Sequence, residues 1–253
     1  LWVGTDKGLF RLDGGNWQRE FEGQAINTIS QTKQSILQVG TSNGLYQLHN
    51  GEWISELDVA VNCFTELADG TLLVGTNGGL RMKPPVDETM RTLLPGKLIG
   101  GLFLASDGTL WCRSIAGIFS YNGLEWTNHG QKKAESLTIT RHFYKYTKIY
   151  EDKSGTIWFS DDSGLLSYKG NTLEFHSLDS FTWDFVEPEH GDIWALGKVG
   201  PHIYDGQDWA FLPGFNRSDS DTRNYAAYQD ADGSIWVIGD RKSGVWLYDN
   251  GKW

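Results

Sequence analysis

Residues 1–17 read Leu-Trp-Val-Gly-Thr-Asp-Lys-Gly-Leu-Phe-Arg-Leu-Asp-Gly-Gly-Asn-Trp, and this stretch decides the fold because the chain repeats it. Trp2 lies in a strand-like phrase, a Gly-Leu-aromatic step follows, and Trp17 comes fifteen residues after Trp2. The same order returns with Gln38 in the place of Trp2 and with Trp53 in the place of Trp17. Self-similarity with a period of about 20 to 50 residues is typical of repeat folds.

Seven positions correspond to Trp2, at residues 2, 38, 73, 111, 158, 194 and 236. A turn with Gly, such as Asp69-Gly70, precedes most of them and predicts a two-residue hairpin loop. A short run of alternating or apolar residues precedes the turn. Each unit therefore predicts four short strands, which we name A to D, with the Trp2 position on strand B and the second aromatic position on strand D. The pattern predicts an all-β fold, a seven-bladed β-propeller of four-stranded antiparallel blades.

We expect residues 1–253 to form a single propeller domain. The first blade begins at strand B, and the seventh reaches only Trp253 at the start of its strand D. A propeller protects its strand edges by completing such a blade with a strand from the other terminus. We therefore expect a trimmed piece of a longer chain, whose first blade lacks its inner strand.

Composition and charge exclude several classes of protein. The formal net charge is 22 − 32 = −10, which disfavours nucleic acid as a partner. No apolar run approaches the length of a transmembrane helix, so we expect no membrane span within this segment. Cys63 and Cys112 lack the spacing of metal ligands and are interpreted as small apolar core residues. We expect no metal and no cofactor.

Most of the twelve Trp residues have a structural explanation. Five occupy strand B positions and five occupy strand D positions, where bulky rings would fill the wedge between neighbouring blades. Gln38 and Leu73 are the exceptions on strand B, and Trp183 and Trp246 lie off the pattern. Only these last two Trp residues suggest a function, because the repeat does not require them.

The acidic-Gly turn before Leu/Ile-Trp-Val-Gly-Thr, followed by Gly-Leu-aromatic, resembles the two-component regulator propeller repeat. The match is best in residues 1–10 and 72–80 and extends over essentially the whole chain. The resemblance implies a non-catalytic ligand sensor, the periplasmic or extracellular part of a bacterial signalling receptor. It also implies that this segment adjoins the remainder of a receptor chain or contacts a protein partner.

Strand alternation separates the loops into two faces. We call the one with the A–B and C–D turns the A–B face, and the one with the B–C loops and D–A connections the B–C face. The long D–A connections at 127–141 and 213–223 lie on the B–C face, where loops on a rigid scaffold commonly bind ligands. The predicted contacts to a small polar ligand or saccharide are Arg141, His142, Asp161, Trp183, Arg217, Arg223 and Arg241.

Three alternatives to a sensor site stay open at this point. The charges on these loops could simply be solvated. The propeller could be an enzyme, a lyase or glycan-cleaving type that acts at the central channel, or a protein-binding scaffold. Fold analogy does not separate these functions, because one fold carries many of them.

Overall fold

A computed structural model of the chain shows only β-strands among the residues that it describes, and these pair into seven antiparallel sheets. The predicted fold class is confirmed: the chain is an all-β, seven-bladed propeller. No helix in the described part of the chain is long and apolar enough to cross a membrane. The structure describes residues 1–32, 35–86, 89–130, 147–161, 164–178, 181–189, 192–197, 200–212, 214–215, 224–239 and 244–253.

Backbone contacts divide the chain into two compact units, residues 1–130 with blades 1 to 4 and residues 131–253 with blades 5 to 7. Blades 1 and 2 consist of β1 (Trp2–Thr5), β2 (Gly8–Asp13), β3 (Asn16–Glu22), β4 (Ile26–Gln31), β5 (Leu37–Thr41), β6 (Leu45–His49) and β7 (Glu52–Leu57). Blades 3 and 4 consist of β8 (Val61–Glu66), β9 (Leu72–Thr76), β10 (Gly79–Lys83), β11 (Arg91–Leu93), β12 (Ile99–Leu104), β13 (Leu110–Ser114), β14 (Gly117–Tyr121) and β15 (Trp126–Asn128).

The second unit continues the same pattern. Blades 5 and 6 consist of β16 (Ile149–Glu151), β17 (Ile157–Asp161), β18 (Gly164–Lys169), β19 (Thr172–Ser177), β20 (Thr182–Val186), β21 (Trp194–Gly197), β22 (Gly200–Tyr204) and β23 (Trp209–Phe211). Blade 7 consists of β24 (Asn224–Gln229), β25 (Ile235–Gly239) and β26 (Val245–Tyr248). Among the described residues, blades 1 and 7 have three strands each, and the other five blades have four.

The turns explain the glycine pattern, with one correction to the prediction. Several C–D hairpins have two-residue loops in which both residues have positive φ, such as Asn50 (51°) and Gly51 (87°). The A–B turns were expected to have two-residue loops as well, but theirs have three. In blade 3 the amide of Leu67 donates to the carbonyl of Thr71, and the left-handed residue is Gly70. A type I turn followed by a left-handed glycine gives this three-residue loop.

The glycine of the Val-Gly-Thr phrase allows neighbouring blades to approach closely. A Cβ atom on Gly40 would lie 2.7 Å from Cγ1 of Val61, which begins the inner strand of blade 3. A Cβ atom on Gly75 would lie 2.8 Å from Cγ2 of Ile99, which begins the inner strand of blade 4. Real Cβ atoms do not come this close to other carbons, so the inner strands can pack here only against glycine.

Aromatic pairs fill the wedges between blades, as predicted. The strand B ring of one blade meets the strand D ring of the next, as in Trp158 and Trp209, whose ring centroids are 5.2 Å apart. Two of the Trp residues expected in the core are exposed, however. Trp17 of blade 1 is 52% exposed and Trp236 of blade 7 is 39% exposed. Each lies on a side of its blade where no further blade of its own unit packs.

Candidate functional site

A β-bulge marks the second residue of the inner strand in five blades. The pairing of strand A with strand B skips one residue in β4, β8, β12, β20 and β24. This residue lies near the B–C face, because strand A begins there. Bulges commonly redirect a side chain beside a binding site. The bulged residues are Asn27, Asn62, Gly100, Trp183 and Tyr225.

In the first unit, the bulged asparagines connect neighbouring inner strands. The side-chain amide of Asn27 donates to the carbonyl of Val61 at 2.7 Å, and that of Asn62 donates to the carbonyl of Ile99 at 2.9 Å. Each bond satisfies a carbonyl at the start of the next inner strand. The bulge therefore has a structural role in blades 2 and 3.

In blade 6, the corresponding position holds Trp183. Its indole is partly buried and meets the buried ring of Phe181 edge-on, with centroids 5.5 Å apart. An indole is a larger and more rigid group than the asparagine amide, with a single N–H donor. The bulge in blade 6 therefore presents an aromatic ring where blades 2 and 3 place a structural amide.

Asp184 follows Trp183 in the chain and pairs with a charged residue that directly precedes the inner strand of blade 5. Asp184 forms an ion pair with Lys148, with Nζ 2.8 Å from Oδ1, and its Oδ2 accepts the amide of Ala227 at 3.3 Å. One carboxylate thus connects the inner strands of blades 5, 6 and 7. Lys148 is about half exposed and Asp184 is mostly buried, so the ammonium group remains accessible to a ligand.

Asp161 lies at the B–C end of β17, where it pairs with Gly164 across the turn. The equivalent positions in other blades hold hydroxyl residues that stabilise the turn, such as Thr41 and Thr76, whose Oγ1 atoms donate to the carbonyl of the residue three positions later. Asp161 therefore shares a turn position with residues of structural role. The other predicted contacts lie outside the described residues: Arg141, His142, Arg217, Arg223 and Arg241.

At the other end of the inner strands, acidic groups surround a tyrosine. Burial, together with the charges of Glu187 and Asp152, raises the pKa of Tyr150 to about 12. Burial opposes the charge of Asp152, but the hydrogen bond from Trp158 and those from its own turn outweigh this and lower the pKa of the carboxyl. The ring of Tyr150 stacks on Phe185. The phenol is thus held protonated as part of the packing between blades 5 and 6.

Two serine–histidine pairs contain the residue types used in nucleophilic catalysis, but their surroundings indicate packing. Oγ of Ser120 lies 2.8 Å from Nε2 of His129, and Ser167 and His176 repeat this distance one blade later. Each imidazole packs against the strand B tryptophan of its own blade. Burial lowers the pKa of both histidines, so both are neutral near pH 7.

The cysteines pack as small apolar residues, as the sequence suggested. Burial raises the pKa of the Cys63 thiol, and the charge of the neighbouring Cys112 raises it further. Burial also raises the pKa of Cys112, to about 12. Neither thiol therefore ionises near neutral pH. Within the described ranges, no group of three or more His, Cys, Asp or Glu side chains is arranged to hold a metal ion.

Two clefts that described residues line lie on the A–B face, opposite the predicted site. One, of about 500 Å³, lies between blades 6 and 7 and is lined by Trp194, Tyr248 and the acidic Glu189, Asp192 and Asp232. The other, of about 240 Å³, lies between blades 2 and 3. Sequence reasoning missed both of these clefts, and it missed Lys148 and Asp184. A polar residue in place of an expected tryptophan, at Gln38, was the available signal for the smaller cleft.

Known structures share this fold at low sequence identity. The extracellular domain of the hybrid two-component system BT4673 from B. thetaiotaomicron matches 98% of the chain with a TM-score of 0.74 and 18% identity. That of BT3049 from the same organism matches 98% with a TM-score of 0.70 and 19% identity. The chain spans only 36% and 38% of these two proteins. The repeat resemblance thus agrees with the fold of two-component receptor domains.

Other propellers match less closely. A structure of YCF48 bound to D1 peptide matches 97% of the chain, which covers 88% of that protein, with a TM-score of 0.66 and 14% identity. A streptogramin B lyase matches 88%, which covers 82% of that protein, with a TM-score of 0.60 and 13% identity. No protein-family model and no curated protein sequence matches the chain.

Proposed function

We propose that this propeller is the non-catalytic, ligand-binding part of an extracytoplasmic sensor in a bacterial signalling receptor. The observation that carries the proposal is Trp183 on the inner-strand bulge of blade 6. An indole at this position, beside the ion pair of Lys148 and Asp184, combines a stacking surface with charge. The fold of the BT4673 and BT3049 extracellular domains supports the receptor context and a periplasmic or extracellular location.

The ligand class follows from these residues and from the charged residues that the sequence predicts on the B–C face. The apolar face of a sugar ring stacks on an indole, and its hydroxyl groups pair with charged side chains. Arg141, Arg217, Arg223 and Arg241 would favour an acidic group, because guanidinium binds carboxylate in a bidentate manner. His142 and Asp161 complete the proposed contacts. We therefore propose a saccharide or another small polar molecule, with uronic acids as the first probes.

Substitution at Trp183 tests the proposal directly. Calorimetric titration with D-glucuronate, D-glucose, cellobiose and succinate identifies a probe that binds the wild-type protein. Trp183→Ala should then weaken binding by about fivefold to tenfold, as expected for the loss of one aromatic contact. Arg141→Ala and Arg223→Ala should each also weaken the binding of an acidic probe.

Two control variants leave the B–C face intact. Trp17→Ala removes an exposed indole on the outer strand of blade 1, and Asn50→Gly changes a C–D turn without altering its left-handed backbone. Both should bind the probe as the wild-type protein does. If Trp183→Ala binds normally while Asn50→Gly loses binding, the functional face is misassigned.

A peptide-binding role is the second candidate, supported by the shared fold of YCF48, whose structure holds a D1 peptide. The same variants separate the two functions. A panel in which no saccharide or carboxylate binds, while an extended peptide binds and depends on Trp183, would favour the peptide-binding role.

A further inference from the structure

The wedge between blades 2 and 3 differs in composition from its neighbours. In three other wedges a strand B tryptophan meets a strand D tryptophan of the next blade: Trp2 with Trp53, Trp158 with Trp209, and Trp194 with Trp253. Gln38 holds the strand B position in blade 2, and strand D of blade 3 is the short Arg91–Leu93, without an aromatic residue. Both rings that fill those three wedges are therefore missing from this one.

The missing rings leave the cleft of about 240 Å³ on the A–B face. A cleft of this volume suits a solute smaller than a drug molecule. Pro84 and Pro85 border the cleft, and they belong to the irregular C–D connection of blade 3. Their backbone conformations are restricted, so this border is stiff.

Gln38 is the strongest sign of a ligand. Its side chain lines the cleft and is only 3% exposed, so a solute in the cleft would lie against it. The side-chain carbonyl of the cross-strand neighbour Gln47 is paired with His49, at 2.9 Å. A polar ligand that hydrogen-bonds to the Gln38 amide would therefore gain affinity.

The cleft carries charges of both signs, with the ammonium group of Lys83 and the carboxylates of Glu56 and Glu66. Lys83 of blade 3 pairs with Glu56 of blade 2 at 2.5 Å, and both residues line the cleft. Glu66 also lines it, and its carboxylate has no partner among the described residues. An ammonium group has three donors, so Lys83 can pair with Glu56 and with a second carboxylate together.

We propose that this cleft binds a small zwitterionic amino acid. Its ammonium group pairs with Glu66, its carboxylate pairs with Lys83, and Gln38 hydrogen-bonds to one of its polar groups. The site lies in the first unit, whereas the saccharide site proposed above lies in the second. The two proposals therefore rest on different residues and fail independently.

The test uses four probes on the whole chain at millimolar concentration. Glycine and L-serine carry both charges, ethanolamine carries only the ammonium group, and glycolate carries only the carboxylate. Calorimetry should show binding of glycine or L-serine, and a binder should also raise the melting temperature. Each half-probe should bind at least about tenfold more weakly, since it leaves one charge of the cleft without a partner. Equal binding of a half-probe, or no binding of any probe, overturns the proposal.

Three variants locate the binding in the cleft. Gln38→Leu removes the amide at similar size, Gln38→Trp restores the ring that fills the other wedges, and Glu66→Gln removes one charge. Gln38→Leu and Glu66→Gln should each lower the affinity for glycine by about tenfold or more, and Gln38→Trp should abolish binding and raise the melting temperature.

The controls are Gln207→Leu, at an exposed turn of blade 6, and Trp17→Ala, at an exposed indole of blade 1. Both should bind glycine as the wild-type protein does. If Gln38→Trp does not fold, the other two variants decide the test. Unchanged binding in Gln38→Leu and Glu66→Gln overturns the proposal.

Discussion

Gly75→Ala tests the explanation given for the repeated glycine of strand B. The added methyl group would lie 2.5 Å from Sγ of Cys63 and 2.8 Å from Cγ2 of Ile99. Ile99 is β-branched and fully buried, so it cannot rotate away. Overpacking of this kind costs about 1–3 kcal/mol. For a chain of this size, a loss of about 2 kcal/mol lowers the melting temperature by about 4 to 8 °C.

Gly78→Ala is the matched control, because Gly78 lies three residues away in an exposed turn. A Cβ atom there would meet only Oγ1 of Thr76, at 3.9 Å, and the φ angle is not in the left-handed region. This variant should be as stable as the wild-type protein or more stable by about 0.4–1 kcal/mol. Urea and thermal unfolding of both variants measure the difference. Equal stability of Gly75→Ala and Gly78→Ala would refute the close approach of the inner strands.

A double variant identifies the atoms responsible. Cys63→Ala removes the Sγ atom that the new methyl group meets, but it leaves Ile99 in place. The pair Cys63→Ala and Gly75→Ala should therefore lose less stability than the sum of the single variants. Additive losses would mean that the methyl group clashes elsewhere.

Two further predictions concern hydrogen bonds of blade 5. Asp152→Asn should destabilise the protein by about 1–2 kcal/mol, because Oδ2 of Asp152 accepts the indole N–H of Trp158 at 2.8 Å and an amide oriented by the turn would present a donor there. Trp158→Phe removes the indole donor, so Asp152→Asn should cost little stability in the Trp158→Phe background. Urea unfolding of the single and double variants measures the difference. The neutral state of His176 stabilises the fold fully above the ordinary histidine pKa of about 6.5, and this contribution falls as pH decreases through the lowered folded pKa. Melting temperatures at pH 7.5 and 5.5 should therefore fall less in His176→Gln than in the wild-type protein, and an equal fall would contradict the assignment.

Residues that set turns and wedges made the fold predictable from the sequence. Glycine and aromatic residues recur at fixed intervals along the chain. These intervals determine the number of strands, because each strand ends at a turn that favours glycine. The length of the A–B loops was not predictable, because an Asp-Gly pair fits loops of two or three residues. The exposure of Trp17 and Trp236 was missed for a similar reason. A repeat pattern states which way a ring points but not what lies opposite it.

The candidate site was less predictable. Trp183 stood out because it lay off the repeat, but the bulge that presents it has no sequence signature, since asparagine, glycine and tryptophan all occupy it. The ion pair of Lys148 and Asp184 joins residues from different blades, and such pairs depend on tertiary packing. Gln38 was visible as an exception in the sequence. Its significance depended on knowing that strand D of blade 3 also lacks an aromatic ring.

The asparagine bonds of the inner strands also bear on synthesis of the chain. Asn27 and Val61 are 34 residues apart, and Asn62 and Ile99 are 37 apart. A ribosome that adds about 5–20 residues per second delivers each partner roughly 2 to 7 seconds after its asparagine. A finished blade can therefore dock onto its predecessor while later blades are still being translated. Within the first unit, docking in the direction of synthesis shortens the time that a blade edge is open to aggregation.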